Sequence, residues 1–265
     1  MNVLVTGGDG FIGRAVCAAL KAEGIESVPV DRASGIDILT DKLPDADGVI
    51  HLAGVLGTAE LFETIDTAVD VNIKGTVRVL EWCARRGAKY VGITMPQVWS
   101  NPYQATKACG MSLAEAYGTR FDFPVTHVCA FNVYGPGQKV HGVQKILPTF
   151  ASRSWNREPM PVWGSGNQKV DLIHVEDVAA TLVDAFSSHR TGMYDEAGSG
   201  TPLTVLYVAR MVGEITRCST VEFLPLRAGE TNELGVVARK PHIRSDPCRD
   251  VRFAQSVDWY REDRP

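Results

Sequence analysis

The sequence predicts a doubly wound α/β protein, with a parallel sheet covered by helices on both faces and a smaller C-terminal domain interleaved by several returns of the chain. Three observations carry this expectation. Short β-rich apolar runs alternate with helical patterns through the first half, and a glycine-spaced loop joins the first strand directly to the first helix. The second half then loses that regularity without any repeat or low-complexity linker.

The elements follow in order. NVLVT reads as a buried strand. FIGRAVCAALKAEG reads as a helix whose stripe is Phe11, Ile12, Ala15, Val16, Ala19 and Leu20, with Gly24 ending it. ESVPVDR and DGVIHLAG are the next strands, followed by a long helix near Ala59 to Arg86, the strand AKYVGIT, a helix from about Pro102 to Arg120 and the strand PVTHVCAF. After Asn132 come the turn VYGPGQ, a helical pattern near Val143 to Ser152, the turn-rich MPVWGSGNQ, a strand and helix in KVDLIHVEDVAATLVDAF, and a helix at Leu203 to Ile215. Beyond Leu224 the tail is rich in Arg, Pro and Gly.

With 265 residues and 45% hydrophobic content, the chain can bury a sizeable core as one large domain or two interleaved ones. The formal net charge is −4 and no Lys/Arg cluster resembles a phosphate-backbone footprint, so nucleic acid is not an expected partner. Apolar runs fall short of the roughly 18 residues a membrane span needs, and the chain opens on a strand pattern with no signal peptide. No membrane association is expected, and a soluble cytoplasmic protein is. Cys17, Cys83, Cys109, Cys129, Cys218 and Cys248 are scattered, with no Cys-x-x-Cys and no histidine at metal-ligand spacing. Free thiols and no metal are expected.

VTGGDGFIG places Gly7, Gly10 and Gly13 between the first strand and first helix. Glycines there let the backbone turn tightly and bring a helix N-terminus against a pyrophosphate, where unpaired N–H groups and the helix dipole favour an anion. The second strand ends at Asp31, at the distance expected for a carboxylate that bonds both ribose hydroxyls of NAD and repels a 2′-phosphate. NAD is therefore favoured over NADP, although Arg32 next door is a residue type that accepts that phosphate in some sites.

Tyr103 and Lys107 stand four apart, on one face of the expected helix. A nearby ammonium favours tyrosinate and draws the phenol toward the working range of a general acid or base. The preceding strand, AKYVGIT, ends on the sheet edge that carries the glycine loop, where open α/β sheets bind ligands.

TGGDGFIG, HLAG at His51 to Gly54, VNIKGTVRVLE from Val71, YQATK, FNVYGPGQ from Phe131, GSGNQ with DLIHVEDVA, and RAGE at Arg227 to Glu230 span nearly the whole chain. Through them it resembles the extended short-chain dehydrogenase/reductases, the NAD-dependent epimerase/dehydratase family acting on nucleotide sugars. The resemblance implies a Rossmann NAD-binding domain, drawn at 1–133 plus 169–194, and a smaller substrate-binding domain at 134–168 plus 195–265. It implies that Gly7, Gly10, Phe11, Ile12 and Gly13 line the pyrophosphate, that Asp31 holds the ribose, and that Asp37 and Ile38 flank adenine. Leu52, Ala53 and Gly54 run beneath the dinucleotide. Asn72 is either a structural tether or a support for the active site; its helix face is mostly apolar, so internal hydrogen-bond partners are expected. Asn132 and Arg227 match the residues that contact a substrate diphosphate, a group that bidentate arginine suits. A homodimer built on the two long helices is also implied.

The chain departs from the family pattern where the strand before the tyrosine usually carries a catalytic hydroxyl. Setting Val98 and Trp99 on the usual Val-Tyr pair puts Met95 there, with Thr94 just before it. Methionine donates no hydrogen bond, so Thr94 or Ser100 supplies the hydroxyl, or Tyr103 works without it, or catalysis is lost. Pro96 and Gln97 stand where sugar dehydratases usually carry Asp-Glu, which disfavours dehydration, since elimination needs a placed acid and base. Val170 and Cys129 replace two common arginines, pointing to altered nucleotide-sugar binding. His174 is expected as a packed or hydrogen-bonded core residue, and Tyr134 as turn packing with a place beside the nicotinamide as the alternative. The leading expectation is an NAD-dependent nucleotide-sugar epimerase with Tyr103, Lys107 and Thr94 as catalytic residues. A nucleotide-sugar reductase or dehydrogenase comes second, and a dinucleotide-binding protein with little chemistry third.

Overall fold

The computed structural model describes residues 1–57, 60–97, 100–227 and 235–261. In chain order its main elements are β1 (Asn2–Thr6), α1 (Phe11–Ala22), β2 (Glu26–Val30), β3 (Gly48–His51), α2 (Ile65–Val69), α3 (Thr76–Arg86), β4 (Lys89–Thr94), α4 (Pro102–Phe121) and β5 (Val125–Cys129). They continue with β6 (Asn132–Tyr134), α5 (Ile146–Trp155), β7 (Met160–Trp163), β8 (Lys169–His174), α6 (Val175–Ser187), β9 (Gly192–Met193), β10 (Pro202–Thr204), α7 (Val205–Thr216), β11 (Val221–Leu224) and α8 (Val251–Trp259). The chain forms two compact units. The first comprises Met1–Met95, Asn101–Ala130 and Val175–Ala197; the second comprises Pro96–Ser100, Phe131–His174 and Gly198–Pro265.

The first unit is the doubly wound sheet. Six parallel strands run in the order β2-β1-β3-β4-β5-β9. Val3 to Val5 of β1 and Val49 and Ile50 of β3 are wholly buried and apolar, because a parallel strand is covered on both faces. Side chains alternate between the faces with period two. Leu4, Val49 and Tyr90 join Val79, Leu80 and Ala114 of α3 and α4 in one core. Gly48 turns the other way, toward α6, where an added Cβ would lie 2.6 Å from Phe186 Cε2. The buried stripe of α1 is Gly13, Val16 and Leu20, packed along α6. Lys89, at the start of β4, closes α6 by donating from Nζ to Ala185 O at 2.7 Å and Phe186 O at 3.0 Å.

The long helix expected from about Ala59 is broken, and Ala59 itself lies outside the described residues. Glu60–Phe62 is a 3₁₀ turn, Thr64 leaves helical geometry at φ −129° and ψ 37°, and only Ile65 begins α2. A π-helical turn, Asp70–Gly75, then joins α2 to α3. Gly75 lies against Ile38, whose Cδ1 is 2.6 Å from where a Cβ would stand. Tertiary packing of this kind is invisible to a periodicity count. The helix at Pro102 begins where expected, because Asn101 accepts from Gln104 N–H at 3.0 Å and Pro102 occupies the first helical position. α5 starts at Ile146, not near Val143. α7 starts at Val205, not Leu203, because Pro202–Thr204 pairs with β8 and Thr204 caps α7 by accepting from Tyr207 N–H at 3.1 Å.

In the second unit β8 pairs in parallel with β6 and antiparallel with β10, while β7 pairs in parallel with β11. Residues 96–100, 131–133 and 169–174, drawn with the first domain from sequence, fall in this second unit, and 195–197, drawn with the second, fall in the first. Its core is built from Tyr134, Leu147, Phe150, Leu172, Val208 and Phe253. One charged group sits inside it. Asp171 on β8 is fully buried and accepts from Ser199 N–H and Ser199 Oγ at 2.6 Å each, from Gly200 N–H at 3.1 Å and from Ala238 N–H at 2.8 Å.

Candidate active site

In the sheet order, β1 lies between β2 and β3, and the connections leaving the carboxyl ends of β1 and β3 diverge at a topological switch point. Gly7 occupies that point at φ +70°, and an added Cβ would lie 2.8 Å from Ala53 N. Gly13 brings α1 down on the loop so closely that its Cβ would lie 2.0 Å from Gly7 O. Gly10 is the N-cap of α1 and has no side chain to satisfy the first turn, so the N–H groups opening that helix carry no side-chain cap. The structure thus brings together Gly7, Gly10, Phe11, Ile12, Gly13, Leu52, Ala53 and Gly54.

At the end of β2, Asp31 is half-buried and accepts from Ala33 N–H at 3.0 Å through Oδ1; Arg32 is exposed. Asp37 turns its Oδ1 back to Leu39 N–H at 2.8 Å. Ile38 is buried in the core, with its carbonyl accepting from Arg78 Nε at 2.7 Å. Its side chain is therefore a packing residue.

A buried polar chain links the strand ends to the helix bearing Tyr103. Thr6 Oγ1 accepts from Leu52 N–H and Ala53 N–H, both at 3.2 Å, so its single proton goes to His51 Nδ1 at 2.7 Å. That assigns the His51 proton to Nε2, which donates to Thr76 Oγ1 at 3.0 Å, and Thr76 donates to Asn72 O at 2.7 Å. Asn72 is fully buried. Its Oδ1 accepts from Val55 N–H at 2.8 Å and its Nδ2 donates to Val55 O at 3.1 Å and Thr106 Oγ1 at 3.0 Å. Thr106 in turn donates within α4 to the carbonyls of Pro102 and Tyr103. From its place on the π turn, the Asn72 amide ties the loop that follows β3 to Thr106 of α4.

Tyr103 and Lys107 lie in the first two turns of α4, both half-buried. The expectation that Lys107 draws the phenol down needs correction. Burial dominates and pushes the Tyr103 phenol above its ordinary value, while the same burial lowers the Lys107 ammonium to about 8. Both groups thus resist charging. Thr94 ends β4 half-buried, its carbonyl accepting from Ala130 N–H at 3.0 Å; Met95 follows, also half-buried. Val98 and Trp99, on which the Met95 alignment rests, lie outside the described residues. Ser100 is exposed and belongs to the second unit.

In the second unit Asn132 is exposed at the start of β6. Arg227 stacks its guanidinium over the Trp163 ring, 4.9 Å from the centroid; the rest of its motif, Ala228 to Glu230, lies outside the described residues. Tyr134 and His174 are buried against one another edge to face at 5.3 Å, which makes both core residues. Burial raises the Cys129 thiol to about 12, with Glu196 adding to the shift. All six cysteines are free thiols. Among the described residues no cluster suits a metal ion, and no helix is long and apolar enough to cross a membrane.

Sequence reading missed His127. It lies on β5, buried, with no hydrogen-bond partner for Nε2 among the described residues. The signal was present as Thr126-His127 inside an otherwise apolar parallel strand.

Burial, followed by the Lys107 charge, lowers His51 to about 3 and His127 to about 4. Both stay neutral in the folded chain, whereas in the unfolded chain they protonate below about 6.5. The unfolded state then binds more protons, so stability falls as pH falls from about 6.5 toward 4. At pH 5 each ring should remove about 2 kcal/mol relative to pH 7. Urea unfolding at the two pH values tests this, and His127→Leu should abolish about half the difference. A flat profile would refute it.

A glycine-loop α/β protein carrying a tyrosine–lysine helix is the class that the fold and the first unit define. Residues 3–95 and 92–195 match the NAD dependent epimerase/dehydratase family, and the chain belongs to it. The dTDP-glucose 4,6-dehydratase of Streptomyces niveus is 25% identical over 320 residues, covering 100% of this chain and 94% of that protein. The UDP-glucose 4-epimerase of Mycolicibacterium smegmatis is 26% identical over 275 residues, covering 87% and 88%. The crystal structure of the Thermus thermophilus UDP-glucose 4-epimerase in complex with NAD superimposes with a TM-score of 0.83 at 23% identity, covering 98% of this chain and 99% of that one, a likeness of fold.

Proposed function

We infer that this enzyme is a nucleotide-sugar epimerase that binds NAD and passes through a keto-sugar. The observation that carries the reading is the Tyr103–Lys107 pair in the first two turns of a helix capped by Asn101, tethered through Thr106 and Asn72 to the loop that follows β3. The glycine cradle fits the cofactor: a Cβ at Gly7 or Gly13 would strike backbone, and the first turn of α1 has no side-chain cap. Gly7, Gly10, Phe11, Ile12 and Gly13 are assigned to the pyrophosphate, Asp31 to the ribose and Leu52 to Gly54 to the underside of the dinucleotide. Asp31 supports NAD over its 2′-phosphorylated counterpart, and exposed Arg32 has no assigned part.

Bound NAD supplies reversible hydride acceptance at the carbon being oxidised. Tyr103 takes the proton from that carbon's hydroxyl and returns one when the hydroxyl is remade on the other face. Lys107 holds a positive charge beside it and binds the nicotinamide ribose. Thr94 supplies the hydroxyl that Met95 lacks. Asn132 and Arg227 are assigned to the substrate diphosphate. Pro96 and Gln97 offer no acid–base pair, which favours epimerisation over the dehydration named for the Streptomyces relative.

Purified protein with NAD should convert one member of a panel of UDP-, GDP-, dTDP- and CDP-linked sugars to a stereoisomer, seen by NMR, with no net rise in reduced-nicotinamide absorbance. Net reduction would make the enzyme a dehydrogenase. No change with any donor, despite NAD binding, would favour a protein that binds the dinucleotide and does little chemistry, the reading that Met95 motivates.

A further inference from the structure

The first unit holds a small cavity of about 10 Å³, with one wall from α4, one from β4 and β5, and one from the π turn and α3. Lys107, His127, Asn72, Thr76, Tyr90 and Gly92 line it. That volume is room for about one water, and a water needs two or more polar partners to stay. His127 is 2% exposed and its Nε2 finds no protein partner among the described residues. Gly92 lets the Tyr90 and His127 rings close in on β4 at the cavity wall: an added Cβ would lie 2.8 Å from Tyr90 Cε1, 3.0 Å from Tyr90 Oη and 3.1 Å from His127 Nδ1.

We propose that this cavity is a water site coupling His127 to Lys107, with the ammonium donating to the water and the water donating to the imidazole, so that His127 is a positioning residue for the lysine charge. An unpaired ring nitrogen and a partly buried ammonium are each costly alone, and one bridging water satisfies both. The other titratable groups around Lys107 supply no anion. His51 on β3 is neutral and hydrogen-bonded at both nitrogens. Burial raises the phenols of Tyr90 on β4 and Tyr103 on α4. No described carboxylate pairs with Lys107. A neutral acceptor reached through water holds the ammonium charged without neutralising it, which is what a cation beside a proton-transferring tyrosine requires. The functional meaning rests on the proposed role of Lys107; the coupling itself does not.

The test is an NMR titration of the full chain labelled with ¹³Cε-lysine, without sugar or cofactor, with Lys107→Met assigning the resonance. Lys107 should titrate near 8 in the native chain. His127→Leu should lower that midpoint by about one unit, while His127→Gln, which keeps an acceptor, should hold it within about 0.3 units. Gly92→Ala, whose methyl group presses on the Tyr90 and His127 rings and displaces the imidazole, should lower it as His127→Leu does and serves if the leucine variant does not fold. A crystal structure should show a water bridging the two side chains. An unchanged midpoint in the folded variants, or a dry cavity, overturns the proposal. If the coupling holds but no sugar is epimerised, the functional reading fails and this one stands.

Discussion

Replacing Tyr103 by phenylalanine should reduce turnover by about 10²–10⁴-fold while leaving NAD affinity within about twofold. The phenol is the only group assigned to move the substrate proton, and removing one oxygen from a half-buried ring leaves the packing of α4 intact. Its backbone contribution also survives, because Thr106 bonds the Tyr103 carbonyl and not its side chain. Isothermal titration with NAD and turnover on whichever sugar of the panel is converted give the two readouts. Full activity in Tyr103→Phe would hand the proton transfer to another group, with Thr94 the first to examine through Thr94→Val. Loss of NAD binding in parallel with turnover would mean that the residue shapes the cofactor site and does no chemistry.

Asp171→Ala should destabilise the protein by about 5 kcal/mol, read as a lower urea midpoint at unchanged slope. Four donors from two separate loop segments converge on this fully buried carboxylate: Ser199 N–H, Ser199 Oγ, Gly200 N–H and Ala238 N–H. Truncation strands them away from water, each at a cost of about 1–3 kcal/mol, less whatever the serine hydroxyl recovers by rotating. Gly198 belongs to the same arrangement, since a Cβ there would lie 3.1 Å from Asp171 Oδ2 and 2.6 Å from Ala238 Cβ. A midpoint within error of the native chain would show that the loops find other partners and that the carboxylate is dispensable.

Much of the first unit was legible because local rules and the final packing agree there. Val3, Leu4 and Val5 of β1 are apolar since both faces are covered, Asn-Pro starts α4 where capping chemistry says it should, and the glycine loop follows its strand without a gap. The glycines were read for phosphate access, and two of them prove equally to be places where backbone meets backbone, Gly7 against Ala53 and Gly13 against Gly7. The helix before Arg86 was misread at its π turn because Gly75 and Asn72 there answer to contacts with Ile38, Val55 and Thr106 that are distant in sequence. The fall of the Tyr103 phenol was expected from a lysine one turn away. Burial outweighs that lysine, and burial is a property of everything packed around the helix.

The sequence by itself determined the parallel doubly wound sheet, the glycine cradle at its first turn, and the tyrosine and lysine on one helix face, since period, capping and glycine spacing are local and survive in a string of letters. Only the tertiary structure decided that Asn72 bonds both Val55 and Thr106, that Asp171 anchors two loops, and that His127 looks onto the same small cavity as Lys107. Each of those depends on which polar atoms are left without water and which distant atoms reach them, and folding alone sets that.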